Sequence, residues 1–254
     1  QEAYRYLLEN KYQFIQPHPC TKEDILMAHS LALLTSVEKG NFIDADTPAL
    51  PNIYHYAMLA AGSAIEAALW SLKGEHAFSL MRPPGHHVTR NQLGGFCYFN
   101  NIAIAVLRAK KQAGKIAIID LDCHHGNGTE DIMLGKEGII YVSLHQSPLY
   151  PGTGLVSQQN CYNYPLEAQT AQDGYVGVLR KALDVVRQFN PDLVAVSMGF
   201  DTYVYDPLAS LRLEKKSYRD IAAMLAALDK PLFGVLEGGY HTDDLPECIN
   251  QFLI

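Results

Sequence analysis

The stretch Ala117-Ile118-Ile119-Asp120-Leu121-Asp122-Cys123-His124-His125-Gly126-Asn127-Gly128 decides how this chain reads. It opens on apolar, partly β-branched residues suited to a buried strand and closes on groups that bind metals and move protons. Along an extended strand end, residues two apart point to one side. Asp120, Asp122 and His124 are therefore candidates to present three donors on a common face. Carboxylate oxygen and imidazole nitrogen both ligate zinc at about 2.0–2.2 Å. A strand that merely ends in solvated polar residues explains one such aspartate, but not three donors followed by His125-Gly126-Asn127-Gly128.

Other short apolar runs, at 76–81, 115–119, 138–144, 193–198 and 231–236, likewise lead into glycine, histidine or aspartate. Between them, apolar residues recur with helical period over 53–72, 100–112, 172–189 and 218–228, the last behind a cap at Ser217. Alternation of this kind predicts an α/β protein, a three-layer αβα open parallel sheet built from right-handed βαβ units. Ligands of such sheets bind outside the carboxyl ends of the strands. His86, His87, Asp120, Asp122, His124, His145, Asp201 and Tyr240 are thus expected to converge there.

Composition narrows the function. Of 254 residues, 48% are hydrophobic and 19% charged, enough for a core without disulfides. No repeat, linker or low-complexity tract divides the chain, so 1–254 reads as a single domain; it opens on Gln1, as a fragment or a chain short of its first residues would. Twenty basic against 27 acidic residues give −7, which argues against direct nucleic-acid binding or an anionic membrane. No apolar stretch suits a membrane span. Five cysteines without a C-x-x-C pair predict a reducing, cytoplasmic setting.

A catalytic zinc usually takes three protein ligands, and Asp201, in Gly199-Phe200-Asp201, is the best supplier of a donor from elsewhere. This oxygen-rich set leaves zinc, iron(II), cobalt and manganese open, with zinc leading. His86 and His87, behind Arg82-Pro83-Pro84-Gly85, suit acid/base work, because imidazole titrates near neutrality. Gly94-Gly95 would let the main chain approach a substrate, and Phe96 offers an apolar wall. Tyr240, in Glu237-Gly238-Gly239-Tyr240, could donate to a developing oxyanion, and Tyr150 could line a channel.

Taken together these motifs resemble the histone deacetylase family of zinc amidohydrolases, which includes bacterial acetylpolyamine amidohydrolases. The resemblance rests on 82–87, 95–101, 120–128, 142–145, 150–154, 199–201, 206–208 and 237–240, in the family's order, and spans 78–240, with 21–30 matching weakly. It implies the arginase-deacetylase fold and a deacylase that hydrolyses an N-acetyl-lysine-like amide on a protein, peptide or other acetylated amine. It assigns zinc to Asp122, His124 and Asp201 and moves Asp120 behind them, orienting His86. His87 becomes the general base and acid, His86 its electrostatic partner, and Tyr240 the carbonyl polariser. Asn127 stands where one branch has an aspartate on the second histidine; with Glu237 it points to the class II and bacterial branch. A structural potassium ion is implied at Asp120, Asp122, His124, Ser143 and Leu144, and Gly95, Phe96 and Tyr150 resemble the walls of the acyl-lysine channel.

The chain also departs from the family. The amino-terminal His-Pro and arginine are not recognisable, and Thr202-Tyr203-Val204-Tyr205 follows Asp201 where many bacterial members carry a small residue and histidine. Leu208 stands where a dedicated polyamine deacetylase places a glutamate gate, which favours acyl-lysine over a polyamine. Rival readings are a catalytically silent acyl-lysine reader and a binuclear manganese ureohydrolase. The latter needs a carboxylate two residues after His124, where Gly126 stands. Oligomeric state is not legible.

Overall fold

The structure, a computed structural model, describes residues 1–253. The apolar runs form strands β1 (Ala77–Ser79), β2 (Ile116–Asp120), β3 (Ile139–Gln146), β5 (Leu193–Met198) and β6 (Leu232–Leu236), joined by β4 (Cys161–Leu166). All six lie in one sheet of order β1-β6-β5-β2-β3-β4, parallel throughout. The periodic segments become α4 (Ile53–Ser71), α5 (Asn101–Ala109), α7 (Gln172–Phe189) and α8 (Lys215–Ala226). Shorter helices complete the set: α1 (Glu2–Glu9), α2 (Lys22–Ala28), α3 (Leu31–Lys39), α6 (Asn127–Met133) and α9 (Leu245–Leu253).

Alternation along the central strand splits the core in two. Ile116 and Ile118 pack with α2 to α6 on one face of the sheet, whereas Ala117 and Ile119 pack with α7, α8 and α9 on the other. Both faces are therefore covered, as an all-parallel sheet requires.

Two sequence expectations change. Strand β4 is missing from the apolar runs because it is a half-buried edge strand of alternating character, Cys-Tyr-Asn-Tyr-Pro-Leu. Ser217 does not cap α8 from outside. Glu214 is the N-cap, and its side chain and that of Ser217, the third helical residue, satisfy each other's main-chain N–H groups.

The order of strands fixes where chemistry can happen. From β2 the chain steps outward through β3 to β4, then crosses back to lay β5 on the other side of β2. Beyond the carboxyl ends of β2 and β5 lies the crevice that such a reversal opens. Asp122 and His124 leave β2 into it, and Asp201 leaves β5. Among the described residues no helix is long and apolar enough to cross a membrane.

Candidate active site

Asp122, His124 and Asp201 are buried together, each offering one ligand atom within 4.8 Å of the others. His124 turns Nδ1 toward both carboxylates, 3.1 Å from Asp122 Oδ1 and 2.8 Å from Asp201 Oδ2. The main chain holds the other oxygens. Gly238 N–H donates to Asp122 Oδ2 at 2.7 Å, and Cys123 N–H donates to Asp201 Oδ1 at 2.8 Å. Glycine is required around them: a Cβ at Gly199 would fall 2.1 Å from Asp122 Oδ2, and one at Gly238 would fall 2.5 Å from Asp201 Oδ2.

Two buried carboxylates this close cost several kcal/mol each unless a positive charge lies between them. Burial and the facing Asp122 raise the Asp201 carboxyl to about 7. Burial opposes a charge on His124, but its hydrogen bonds to the two aspartates win and lift it to about 11. A site that draws a proton so strongly between two oxygens and a nitrogen suits a divalent cation, which displaces that proton on binding. The donor set therefore fits a metal ion.

Asp120 lies outside this group. Its Oδ2 is 3.2 Å from His86 Nδ1 and accepts from the Tyr141 hydroxyl at 3.0 Å, while Oδ1 accepts from Asp122 N–H. Burial disfavours charge on His86, yet Asp122 and Asp120 outweigh it and raise the imidazole to about 10. His87 lies tilted against His86 with ring centroids 4.0 Å apart, and its Nδ1 is 2.9 Å from Asn127 Oδ1. The amide oxygen accepts from Nδ1–H, which leaves the lone pair on Nε2. Burial, then the charge on His86, hold His87 well below the usual imidazole range. The two histidines thus diverge into a cation and a neutral base.

The walls of the pocket come from separate loops. The Tyr150 ring stands edge-on to His87 at 5.0 Å and 6.4 Å from the His124 ring. Phe96 meets Tyr240 edge-on at 5.8 Å, and Arg82 lies 5.9 Å over the Tyr240 ring. Burial, then Asp122, raise the Tyr240 hydroxyl, so it remains a proton donor at neutral pH. Gly95 adopts φ +60°, and a Cβ there would come within 2.3 Å of His87. Leu208 is half exposed, its N–H bound to Asp206 Oδ1, while Asp206 Oδ2 accepts from Tyr240 N–H at 2.8 Å. His145, expected at the convergence point, instead engages His125, Ser143 and the main chain of Gly154.

The donor set expected for potassium has a coherent environment. Asp120 and Ser143 are fully buried, and among the described residues no donor reaches the main-chain carbonyls of Asp122 and His124. Buried carbonyls without donors are what a hard monovalent cation would satisfy.

Several residues around the site escape a reading of motifs. Asp46 Oδ1 accepts from Gly95 N–H and Thr47 Oγ1 accepts from Phe96 N–H, both at 3.0 Å, so these two residues shape the aromatic wall. They sit in a polar stretch whose only signal is the pairing itself. Glu237, read from the sequence as a branch marker, clamps the histidine loop. Its Oε2 accepts from Gly85 and His86 N–H groups at 2.7 and 3.2 Å, and its Oε1 accepts from Ser197 Oγ. The Glu237 carbonyl accepts in turn from Arg82.

Comparison with known proteins agrees with this geometry. The histone deacetylase domain matches residues 1–253. A probable deacetylase of Archaeoglobus fulgidus is 37% identical over 249 residues, 90% of this chain and 69% of that protein. A histone deacetylase-like amidohydrolase of Pseudomonas aeruginosa is 35% identical over 264 residues, 95% of this chain and 70% of that one. Among solved structures, an acetylpolyamine aminohydrolase from Burkholderia pseudomallei superposes with a TM-score of 0.93 at 25% identity, covering 98% of this chain and 87% of that chain. The HD domain of HDA15 gives the same score at 28% identity, covering 99% and 80%. The sheet and its flanking helices are thus the arginase-deacetylase architecture. The chain belongs to the histone deacetylase domain family and is a hydrolytic deacetylase.

Proposed function

We propose that this protein is a zinc-dependent deacylase that hydrolyses the amide of an N-acetyl-lysine-like amine to a free amine and a carboxylate. The observation that carries the reading is the pairing of a buried Asp122/His124/Asp201 group with an imidazole, His87, whose Nδ1 is bound and whose Nε2 is free. Those three residues would hold the ion, which when bound supplies Lewis-acid polarisation and a water of lowered pKa. The protein's own groups do the rest. His87 Nε2 takes a proton as water attacks the acyl carbon. Tyr240 donates its hydroxyl hydrogen to the carbonyl oxygen as negative charge gathers there. The protonated His87 then passes its proton to the departing amine, while Asp120 keeps His86 charged beside it. Asn127 holds the imidazole in the tautomer this sequence of transfers needs.

Gly95, Phe96 and Tyr150 would enclose the acyl-lysine stem, with Leu208 at the rim. The potassium ion would sit against Asp120, Asp122, His124, Ser143 and Leu144 as a structural element. All five cysteines are buried and free, which supports a reducing, cytoplasmic setting. An acetylated polyamine is the second reading. It is favoured by Asp44, which with the Tyr150 hydroxyl flanks Gly94 and offers a carboxylate to a second, cationic amine. Relatives named acetylpolyamine amidohydrolase support it as well.

Acetate release by the zinc-loaded protein from an acetyl-lysine peptide, beside acetylputrescine and acetylspermidine, tests both readings. Chelator-sensitive turnover with a higher kcat/KM on the peptide is the expected result. A higher kcat/KM on the polyamines would move the assignment to the second reading. One bound zinc with no turnover on any of them would point to the silent reader instead.

A further inference from the structure

A second pair of imidazole rings in contact lies beneath the loop that carries Tyr150. His125 follows the candidate ligand His124 in the chain but points elsewhere, and its ring lies tilted against that of His145 with centroids 4.6 Å apart. Both are buried, at 2% and 1% exposure, so neither serves solvent. Every nitrogen has a neighbour. His125 Nδ1 is 2.8 Å from Thr153 Oγ1, and its Nε2 is 2.7 Å from Glu130 Oε2, close enough for an ion pair although not aligned as a hydrogen bond. His145 donates from Nε2 to the carbonyl of Gly154 at 3.1 Å and meets Ser143 Oγ at Nδ1, 2.9 Å away.

The loop of residues 147–157 therefore rests on the two rings. Gly154, at φ +75°, lies so close that a Cβ there would fall 2.6 Å from His125 Cδ2 and 2.7 Å from His145 Cε1. Asn163 ties the far end, donating from Nδ2 to the Val156 carbonyl at 3.1 Å and to Glu130 Oε2 at 2.9 Å. Tyr150, in the same loop, is half exposed and stands 5.0 Å from the His87 ring.

We propose that His125 and His145 are positioning residues whose rings, in contact with each other, seat the 147–157 loop through Thr153 and Gly154. They thereby fix Tyr150 edge-on against His87, and with it the wall that meets the acyl-lysine stem. The inference rests on the reading of Tyr150 as a channel wall given under the proposed function. It assigns to residues outside the reacting group a control over KM rather than over the rate of bond cleavage.

Thr153 is exposed, so Thr153→Val removes the hydroxyl that faces His125 without disturbing the core. KM for an acetyl-lysine peptide is expected to rise about 3- to 10-fold, the worth of one hydrogen bond, with kcat within about twofold of wild type. Thr153→Ser should restore the wild-type KM. Amide hydrogen exchange across 147–157 should speed up in Thr153→Val and not in Thr153→Ser, with bound metal unchanged. Unchanged exchange in that loop, or a loss confined to kcat, would overturn the proposal. The exchange comparison needs no turnover, so it tests the seat of the loop even if the wild-type protein does not hydrolyse this peptide, an outcome that defeats the functional reading alone.

Discussion

The molecule contains two imidazole pairs in contact that look alike in composition and differ in what each nitrogen touches. The ring centroids of His86 and His87 lie 4.0 Å apart and those of His125 and His145 4.6 Å, the planes tilted by 45° and 49°. Each pair sets one ring beside a buried carboxylate, Asp120 for His86 and Glu130 for His125. In each pair the other ring is held below the usual imidazole range, first by burial and then by its neighbour; His145 falls to about 3. The difference is one free nitrogen. His145 has a partner at both nitrogens, whereas His87 is bound at Nδ1 only and faces the pocket with Nε2. Paired buried histidines are thus not a catalytic signature in themselves; what sets the first pair apart is the unspent lone pair on His87.

The largest break in this comparison is Asp201→Ala. It should abolish metal binding and turnover together, while hydrogen exchange in the loop over His125 and His145 stays at the wild-type level; metal analysis beside exchange checks both halves. Next, His87→Ala should lower kcat by on the order of 10²- to 10⁴-fold with one metal retained, as steady-state kinetics and metal analysis on one sample would read. Unchanged turnover would remove His87 from the base role.

A smaller effect concerns another buried histidine, His29, far from either pair in the chain. It bonds the Thr89 carbonyl through Nδ1 and accepts Asn100 N–H at Nε2, both at 2.9 Å, and burial lowers it to about 4. Its folded pKa lies below its unfolded value of 6.5, so the unfolded chain binds the proton first as pH falls. Stability is therefore full above about pH 6.5 and declines toward pH 4, by up to about 1.4 kcal/mol per pH unit from this group. Urea unfolding between pH 7.5 and 5 should show a shallower decline for His29→Gln than for wild type.

Much of this was legible in the residues. The central strands are continuous apolar runs because both faces are covered, and Asp122, His124 and Asp201, just beyond β2 and β5, meet at the crevice. Strand β4 escaped because an edge strand with one wet face breaks its own apolar pattern, and Pro165 in it reads as a breaker. The site divides in the same way. Asp122, His124 and Asp201 follow strand ends, where local spacing carries the signal. Asp46 and Thr47 act on Gly95 and Phe96 from 49 residues away, and only tertiary packing joins them. His145 was placed with the reacting groups because it, too, ends a strand. What strand position cannot convey is which way a side chain turns once Gly154 lies against it.

The free nitrogen of His87 is the centre of the account, and the pH dependence of kcat/KM in the wild type and in Asn127→Asp tests it most directly. The base works only when neutral, so activity falls as pH drops through its pKa and rises above it. A carboxylate at position 127 would favour the charged ring, and the acid limb should move to higher pH by about one unit or more. An acid limb that stays where it was, with metal content unchanged, would contradict the claim that Asn127 and Nδ1 set His87 up as the base.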